Sequence, residues 1–229
     1  GTPPYVGTGI FSRMAGNYSF AVTDANGCTD TVDLMITQPP VLAAASSATP
    51  ILCNGVPSTV TVTASGGTPP YQGTGVFNRT AGTYTFTVTD ANTCSATTTI
   101  TITEPPQLVA MASPTPILCN GGSSTVDVTA SGGTPPYVGT GVFRRGPGTW
   151  SFIVSDANNC VDTVQITITA PPALNASALA GNILCNGGTT TVNVSATGGT
   201  PPYSGVGTLN RGAGTHTFIV TDANNCADT

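Results

Sequence analysis

Polar and apolar residues alternate along several short segments of the chain. Residues 58–64 read Ser-Thr-Val-Thr-Val-Thr-Ala, and residues 83–89 read Thr-Tyr-Thr-Phe-Thr-Val-Thr. A period of two is typical of half-buried β-strands, and a similar Thr/Ile rhythm predicts a strand over 96–103. Because no segment shows helical periodicity, the pattern predicts an all-β protein.

Residues that favour turns separate these strands. Gly66 to Pro70 breaks the pattern, and residues 71–77 predict a weaker, Gly-rich strand. The Asp90-Ala91-Asn92-Thr93 segment predicts a hairpin, and its counterpart Asn26-Gly27 predicts a type I′ turn. Residues 107–117 predict a further strand that breaks at its prolines.

The same string returns at a constant interval along the chain. Gly-Thr-Pro-Pro-Tyr begins at Gly1, Gly67, Gly133 and Gly199, with no insertion between copies. We therefore expect a truncated repeat at 1–40, complete repeats at 41–106 and 107–172, and a repeat without its last strand at 173–229. Because the sequence starts and stops inside a repeat, we expect it to be part of a longer polypeptide.

Short strands with frequent turns predict a tandem array of small immunoglobulin-like antiparallel β-sandwich repeats, extended head to tail. A repeat of 66 residues buries only ~60% of the surface of its unfolded chain. Such a repeat is marginally stable alone, so we expect support from disulfides and from packing on its neighbours.

The repeated string resembles the SprB-type repeat of Bacteroidota surface adhesins. The matching features are Cys-Asn-Gly, a Thr/Val strand, Gly-Gly-Thr-Pro-Pro-Tyr, Ala-Gly-Thr-Tyr-Thr-Phe-Thr-Val-Thr-Asp-Ala-Asn-x-Cys and a closing Thr-Ile-Thr-x-Pro-Pro. It is also similar to the wider PKD and immunoglobulin-like class. The resemblance implies an extracellular gliding or attachment protein, secreted by the type IX route.

Composition narrows the function classes. The chain has a net charge of −5, and its five basic residues are all Arg, so it has too little positive charge to bind a nucleic-acid backbone. Its apolar runs are shorter than the ~18 residues of a membrane span, so we expect no membrane insertion in this segment. No Ser/His/Asp set, paired-carboxylate cleft or metal cluster is evident, so we expect no enzyme and no cofactor.

The cysteines form two series that follow the same step as the repeats: Cys28, Cys94, Cys160 and Cys226, and Cys53, Cys119 and Cys185. The chain lacks Cys-x-x-C and has one His, which argues against zinc. We therefore expect disulfides, formed in an oxidising compartment.

Strand counting favours disulfides between successive repeats. The first strand precedes Cys53 and three more precede Cys94, so these cysteines should lie ~20–25 Å apart at opposite ends of a repeat. Disulfides need Cα atoms within ~7 Å. Head-to-tail stacking would instead bring one end of a repeat against the other end of the next. The predicted pairs are Cys53–Cys160 and Cys119–Cys226. Alternatives are the in-repeat pairs Cys53–Cys94, Cys119–Cys160 and Cys185–Cys226, or the hairpin pairs Cys28–Cys53 and Cys94–Cys119.

Two kinds of charged residue also recur. An aspartate opens each predicted hairpin, where its carboxylate would accept backbone N–H groups in an Asx-type turn; calcium binding is the alternative. These residues are Asp24, Asp90, Asp156 and Asp222. An arginine precedes each late strand, either as a solvated charge or in a junction ion pair worth ~0–1 kcal/mol. The candidate pairs are Arg79–Asp156 and Arg145–Asp222.

Surface residues suggest modification and glycan binding. The sequences around Thr31 and Thr163 both read Asp-Thr-Val, which matches an Asp-Thr/Ser-aliphatic pattern of bacterial O-glycosylation. Thr229 follows an Asp and matches the first two positions of the same pattern. Each Tyr after Pro-Pro should pack over a sandwich end, and an exposed aromatic sugar platform is the alternative. The Tyr84 position should resemble a tyrosine corner.

These features favour a non-enzymatic structural stalk or filament of a cell-surface adhesin. Its expected partners are adjacent repeats of the same chain, other copies in a fibre, and surface glycans. The competing hypothesis is an array of weak carbohydrate-binding modules that gains avidity by repetition.

Overall fold

The computed structural model describes all 229 residues, and every regular element in it is a β-strand. The chain divides into two compact units. The first unit holds residues Gly1–Ile51 and Pro57–Thr103, and the second holds Leu52–Val56 and Glu104–Thr229. The all-β prediction is confirmed.

The first unit has three antiparallel sheets, ordered β1-β2, β3-β4-β5 and β6-β7. Its strands are β1 (Gly16–Thr23), β2 (Thr29–Ile36), β3 (Ala43–Ala48), β4 (Ser58–Ser65), β5 (Gly75–Arg79), β6 (Gly82–Thr89) and β7 (Ser95–Ile102).

The second unit repeats this arrangement, with sheets ordered β8-β9-β10, β11-β12, β13-β14-β15 and β16-β17. Its strands are β8 (Val109–Pro114), β9 (Ser124–Ser131), β10 (Gly141–Arg145), β11 (Gly148–Ser155), β12 (Val161–Ile168), β13 (Asn175–Ala180), β14 (Thr189–Thr197), β15 (Gly207–Gly212), β16 (Val220–Thr221) and β17 (Ala227–Asp228). The chain has no helix that is long and apolar enough to cross a membrane.

A three-stranded and a two-stranded sheet pack face to face around each small core. In residues 107–172, Val126 and Val128 of β9 pack with Phe152 and Val154 of β11. The residues between them along each strand point outward, as the period-two pattern requires. Fully burying one such side chain contributes ~1.5–3 kcal/mol. The Val/Thr alternation therefore sets which face of each strand enters the core.

The predicted Gly-rich strand lies later in the chain than expected. Strand β5 begins at Gly75 instead of Tyr71, and residues before it form a loop tied to β6 by the Gln72–Thr89 bridge. A Cβ atom on Gly73 would lie 2.1 Å from the Thr87 carbonyl oxygen. Glycine therefore permits this loop to approach the neighbouring backbone closely.

The hairpin after β1 is not the predicted type I′ turn. Type I′ needs positive φ at two central residues, but here only Gly27 has one, at 78°. The N–H of Asp24 donates to the Cys28 carbonyl at 3.0 Å, which closes a three-residue loop. The Gly27 position is occupied by Thr93, Asn159 and Asn225 in the later repeats, each with positive φ.

Candidate functional site

An aspartate organises the hairpin that carries each cysteine of the first series. The Asp156 Oδ1 atom accepts N–H bonds from Asn158 and Cys160, both at 2.9 Å, and its Oδ2 atom accepts the Thr134 N–H at 2.8 Å. The Asp156 side chain is buried. Burial by itself would raise the pKa of Asp156, but the three N–H groups outweigh it and hold the pKa below its usual value.

The same turn recurs in every repeat, with the Asx-type contacts that the sequence predicted. Each aspartate accepts hydrogen bonds from the backbone N–H groups of the residues two and four positions later, and from the N–H of the Thr in the Gly-Thr-Pro-Pro-Tyr string of the same repeat. These aspartates are Asp24, Asp90, Asp156 and Asp222. These N–H groups take up part of the acceptor capacity of each carboxylate. No group of three or more His, Cys, Asp or Glu side chains is placed to hold a metal ion.

A tight loop presents each cysteine of the second series. In the loop after β8, the Gly122 N–H donates to the Cys119 carbonyl at 3.0 Å, and the Asn120 amide donates to the Pro171 carbonyl at 3.1 Å. In the loop 52–56, the Asn54 amide likewise donates to the Pro105 carbonyl at 3.0 Å. The Pro-Pro segment that closes a repeat therefore holds the cysteine loop in place.

Two disulfides join loops to hairpins within the second unit. Cys53 bonds Cys160 and Cys119 bonds Cys226, each across 107 residues with Cα atoms 5.6 Å apart. These are the pairs that strand counting favoured. The in-repeat pair Cys119–Cys160 does not form, because the two cysteines belong to opposite ends of one sandwich, and neither do Cys53–Cys94 and Cys185–Cys226.

A hydrogen bond accompanies each disulfide. The Asn158 amide donates to the Leu52 carbonyl at 3.2 Å, and the Asn224 amide donates to the Leu118 carbonyl at 3.1 Å. The sequence predicts this Asn only as part of a hairpin turn. Its recurrence two positions before every cysteine of the first series was the available signal, but only the folded loop reveals the carbonyl that it binds.

Three cysteines remain as free thiols. Cys28, Cys94 and Cys185 are all exposed, so the hairpin scheme Cys28–Cys53 and Cys94–Cys119 is not formed either. Each disulfide joins a cysteine on a loop to a cysteine on a hairpin. Cys28 and Cys94 lie on hairpins and Cys185 lies on a loop, so both kinds of cysteine also occur as free thiols.

The recurring arginines stack on aromatic rings instead of pairing with acids. The Arg145 guanidinium lies 4.9 Å from the centre of the Trp150 ring and 5.6 Å from that of Phe152. Arg145 and Asp222 therefore form no ion pair, since the Asp222 oxygens already accept three backbone N–H groups. Arg79 stacks in the same way on Tyr84 and Phe86.

The tyrosines after Pro-Pro close their own loops. The hydroxyl of Tyr71 donates to the Gly66 carbonyl at 2.6 Å, and Tyr137 donates to Gly132 at the same distance. Both rings are half-buried against the cores. This is the local bond of a tyrosine corner, which was expected instead at the Tyr84 position.

The three candidate glycosylation threonines are exposed: Thr31, Thr163 and Thr229. Two of the preceding aspartates have a structural contact. Asp162 Oδ2 accepts the Ala110 N–H and Asp228 Oδ2 accepts the Ala176 N–H, both at 2.7 Å. The Asp-Thr pattern therefore has a role in strand contacts, and glycosylation of the threonines stays a prediction.

Comparison with known proteins identifies the repeat type. Residues 45–72 and 111–138 each match the family described as SprB repeat. A similar solved structure is the crystal structure of Down Syndrome Cell Adhesion Molecule (DSCAM) isoform 1.30.30, N-terminal eight Ig domains, at 11% identity and a TM-score of 0.23. The match covers 83% of this chain and 49% of that one, so the chain spans about half the length of that structure. No curated protein matches the sequence.

Proposed function

We propose that this chain of SprB-type, immunoglobulin-like repeats is a load-bearing stalk segment of an extracellular bacterial adhesin. The observation that carries the proposal is the disulfide pattern. Cys119 lies between Cys53 and Cys160 in the sequence, and Cys160 lies between Cys119 and Cys226. The two covalent loops therefore overlap, which suits a protein that has to resist extension.

The disulfides also bear on where the chain works. Disulfides persist in oxidising environments outside the cytoplasm, and SprB repeats belong to surface adhesins. Secretion by the type IX route and a role in gliding or attachment are parts of the proposal. So are O-glycosylation at Thr31, Thr163 and Thr229, contact with other copies in a fibre, and the absence of enzymatic activity.

Displaying the chain on a bacterial surface tests the stalk role. A small peptide tag at the outer end would be captured by beads whose receptor lies beneath a polymer brush. Deleting residues 107–172 removes one complete repeat and moves Cys226 to the position that Cys160 holds in the parent chain, so its sequence separation from Cys53 is again 107. We expect this deletion to reduce capture, because a shorter spacer reaches less far.

A second arm addresses carbohydrate binding. The variant with Tyr71→Phe and Tyr137→Phe keeps the rings but removes the hydroxyl groups, and the variant with both changed to Ala removes the rings. We expect both variants to capture tagged beads like the parent chain if they display equally. Saturable binding to a glycan array that is lost only in the Ala variant would replace the stalk proposal with the carbohydrate-binding hypothesis.

A further inference from the structure

An Asn-Gly dipeptide follows the cysteine in both of the loops that carry a disulfide. All four residues are exposed: Asn54, Gly55, Asn120 and Gly121. Deamidation begins when the backbone nitrogen of the residue after an asparagine attacks the side-chain amide carbon, and glycine has no Cβ atom to hinder this attack. Both loops therefore present the sequence at which asparagine deamidates most readily.

The two asparagines have the same contacts. The Asn54 amide donates to the Pro105 carbonyl at 3.0 Å, and the Asn120 amide donates to the Pro171 carbonyl at 3.1 Å. The glycines that follow them have φ angles of 79° and 80°. The amide group that is attacked is therefore held in the same way in both loops, and its contacts give no reason for different rates.

The attacking nitrogen has different contacts in the two loops. The Gly55 N–H donates to Glu104 Oε2 at 2.7 Å, whereas the Gly121 N–H donates to no other residue. The position of Glu104 is occupied in the next repeat by Ala170. Attack by the Gly55 nitrogen first requires the loss of a hydrogen bond to a charged acceptor. The charge of Glu104 also opposes the negative charge that develops on the Asn54 side chain during the attack.

We propose that Asn120 is a site of spontaneous deamidation and that Glu104 protects the equivalent Asn54. In the first step the Gly121 nitrogen loses its proton and bonds to the Asn120 Cγ atom, and the side-chain nitrogen leaves as ammonia. Water then opens the succinimide ring at either carbonyl and gives aspartate or isoaspartate. Water is the only co-reactant, and no electrons are transferred. The modification goes beyond the stalk proposal and does not rest on it.

Deamidation removes a contact that holds the Cys119 loop. The Asn120 amide is the donor to the Pro171 carbonyl, and the carboxylate that replaces the amide has no proton to donate. An isoaspartate also lengthens the backbone of the loop by one carbon atom. We therefore expect the loop to loosen, so that the Cys119–Cys226 disulfide is reduced faster while the other disulfide keeps its rate.

The experiment incubates the oxidised full chain at mildly alkaline pH for days. Samples are reduced, digested with chymotrypsin and analysed by mass spectrometry, and isoaspartate is detected with an isoaspartate-specific methyltransferase. We expect Asn120 to deamidate about tenfold faster than Asn54. Equal rates would overturn the proposal, and so would a faster reaction at Asn54, which is the result expected if Glu104 instead acts as a general base. An intact Asn120 at a time when an unfolded peptide of the same sequence has deamidated would also overturn it.

Exchanging one side chain between the repeats tests the role of Glu104. Glu104→Ala should raise the rate at Asn54 to that at Asn120, and Ala170→Glu should lower the rate at Asn120. Val56→Gly is the matched control, because the two loops also differ at this position, and it should leave the rate at Asn54 unchanged. A rate that follows residue 56 instead of residue 104 would contradict the protective contact.

The disulfide readout compares fresh and incubated protein. Both are treated briefly with dilute dithiothreitol, and the freed thiols are alkylated and mapped. We expect incubation to increase the labelling of Cys119 and Cys226 in the parent chain but not in Asn120→Gln, which keeps an amide and deamidates far more slowly. An equal increase in both chains would contradict deamidation as its cause.

Discussion

Breaking the disulfides one at a time should lengthen the stretched chain in two distinct steps. The perturbations are Cys226→Ser, which removes one bond, and reduction with dithiothreitol, which removes both. Because the two covalent loops overlap, the oxidised chain can extend only along the shortest covalent path between Cys53 and Cys226.

The expected length of the stretched chain follows from the backbone segments that lie on the covalent path between Cys53 and Cys226. In the oxidised chain the shortest path runs from Cys53 to Cys160 through a disulfide, back along the backbone to Cys119, and through the second disulfide to Cys226. The backbone part of that path is the segment 119–160, which at ~3.6 Å per residue is ~150 Å long. Without the second disulfide the path is the segment 160–226, or ~240 Å, and without either it is the segment 53–226, or ~620 Å.

Single-molecule force spectroscopy measures these lengths directly. The chain is pulled from both ends, and the total contour length is compared among the parent, Cys226→Ser and the reduced protein. Cys185→Ser is the matched control, because it removes a cysteine that is free and should leave the parent length unchanged. A single variant that already releases the full length of the reduced chain would refute the overlapping-path reasoning, as would no change on reduction.

Three further predictions concern stability. Thr93 is a β-branched residue whose φ angle of 68° strains its backbone, so Thr93→Gly should raise the free energy of unfolding by about 1 kcal/mol in urea titrations. The matched control Asn159→Gly should change the free energy of unfolding less. Equal effects of the two substitutions would contradict backbone strain at Thr93. Val154→Ala removes buried methyl groups and should cost about 2 kcal/mol in the same titration, whereas Ile153→Val, on the exposed face, should cost little. The hairpin aspartates have pKa values below their usual value in the folded chain. Their ionised carboxylates therefore stabilise the fold at pH values above the unfolded pKa of ~3.9, and this stabilisation is lost as pH falls through the folded pKa values. Melting temperatures followed by circular dichroism should therefore hold from pH 7 to about 5 and fall below about 4; a rise on acidification would contradict the N–H contacts.

The sandwich faces were predictable because they depend on local alternation. Val60 and Val62 occupy alternate positions of a Thr-rich segment, and both are buried in the structure. The start of β5 was not predictable in the same way. Its segment is rich in Gly, which gives no apolar rhythm, and pairing with β4 decides where the strand begins.

The cysteine site was partly predictable. Strand counting needs only the number of strands between two cysteines, so it could show that two cysteines of one repeat lie at opposite ends of the sandwich. The environment of Arg145 could not be predicted, because Phe143, Trp150 and Phe152 reach it from two strands of different sheets. Sequence position suggested a solvated charge or an acidic partner, whereas in the folded chain the Arg145 guanidinium lies against three aromatic rings.

The overlap of the two disulfides also gives the molecule tolerance to proteolysis. A single peptide-bond cleavage anywhere between Cys53 and Cys226 leaves every residue joined to both ends of the chain, because one disulfide always spans the cut. Between these two cysteines, a protease would therefore have to cut at least twice, and in the right places, to separate the two ends of the chain.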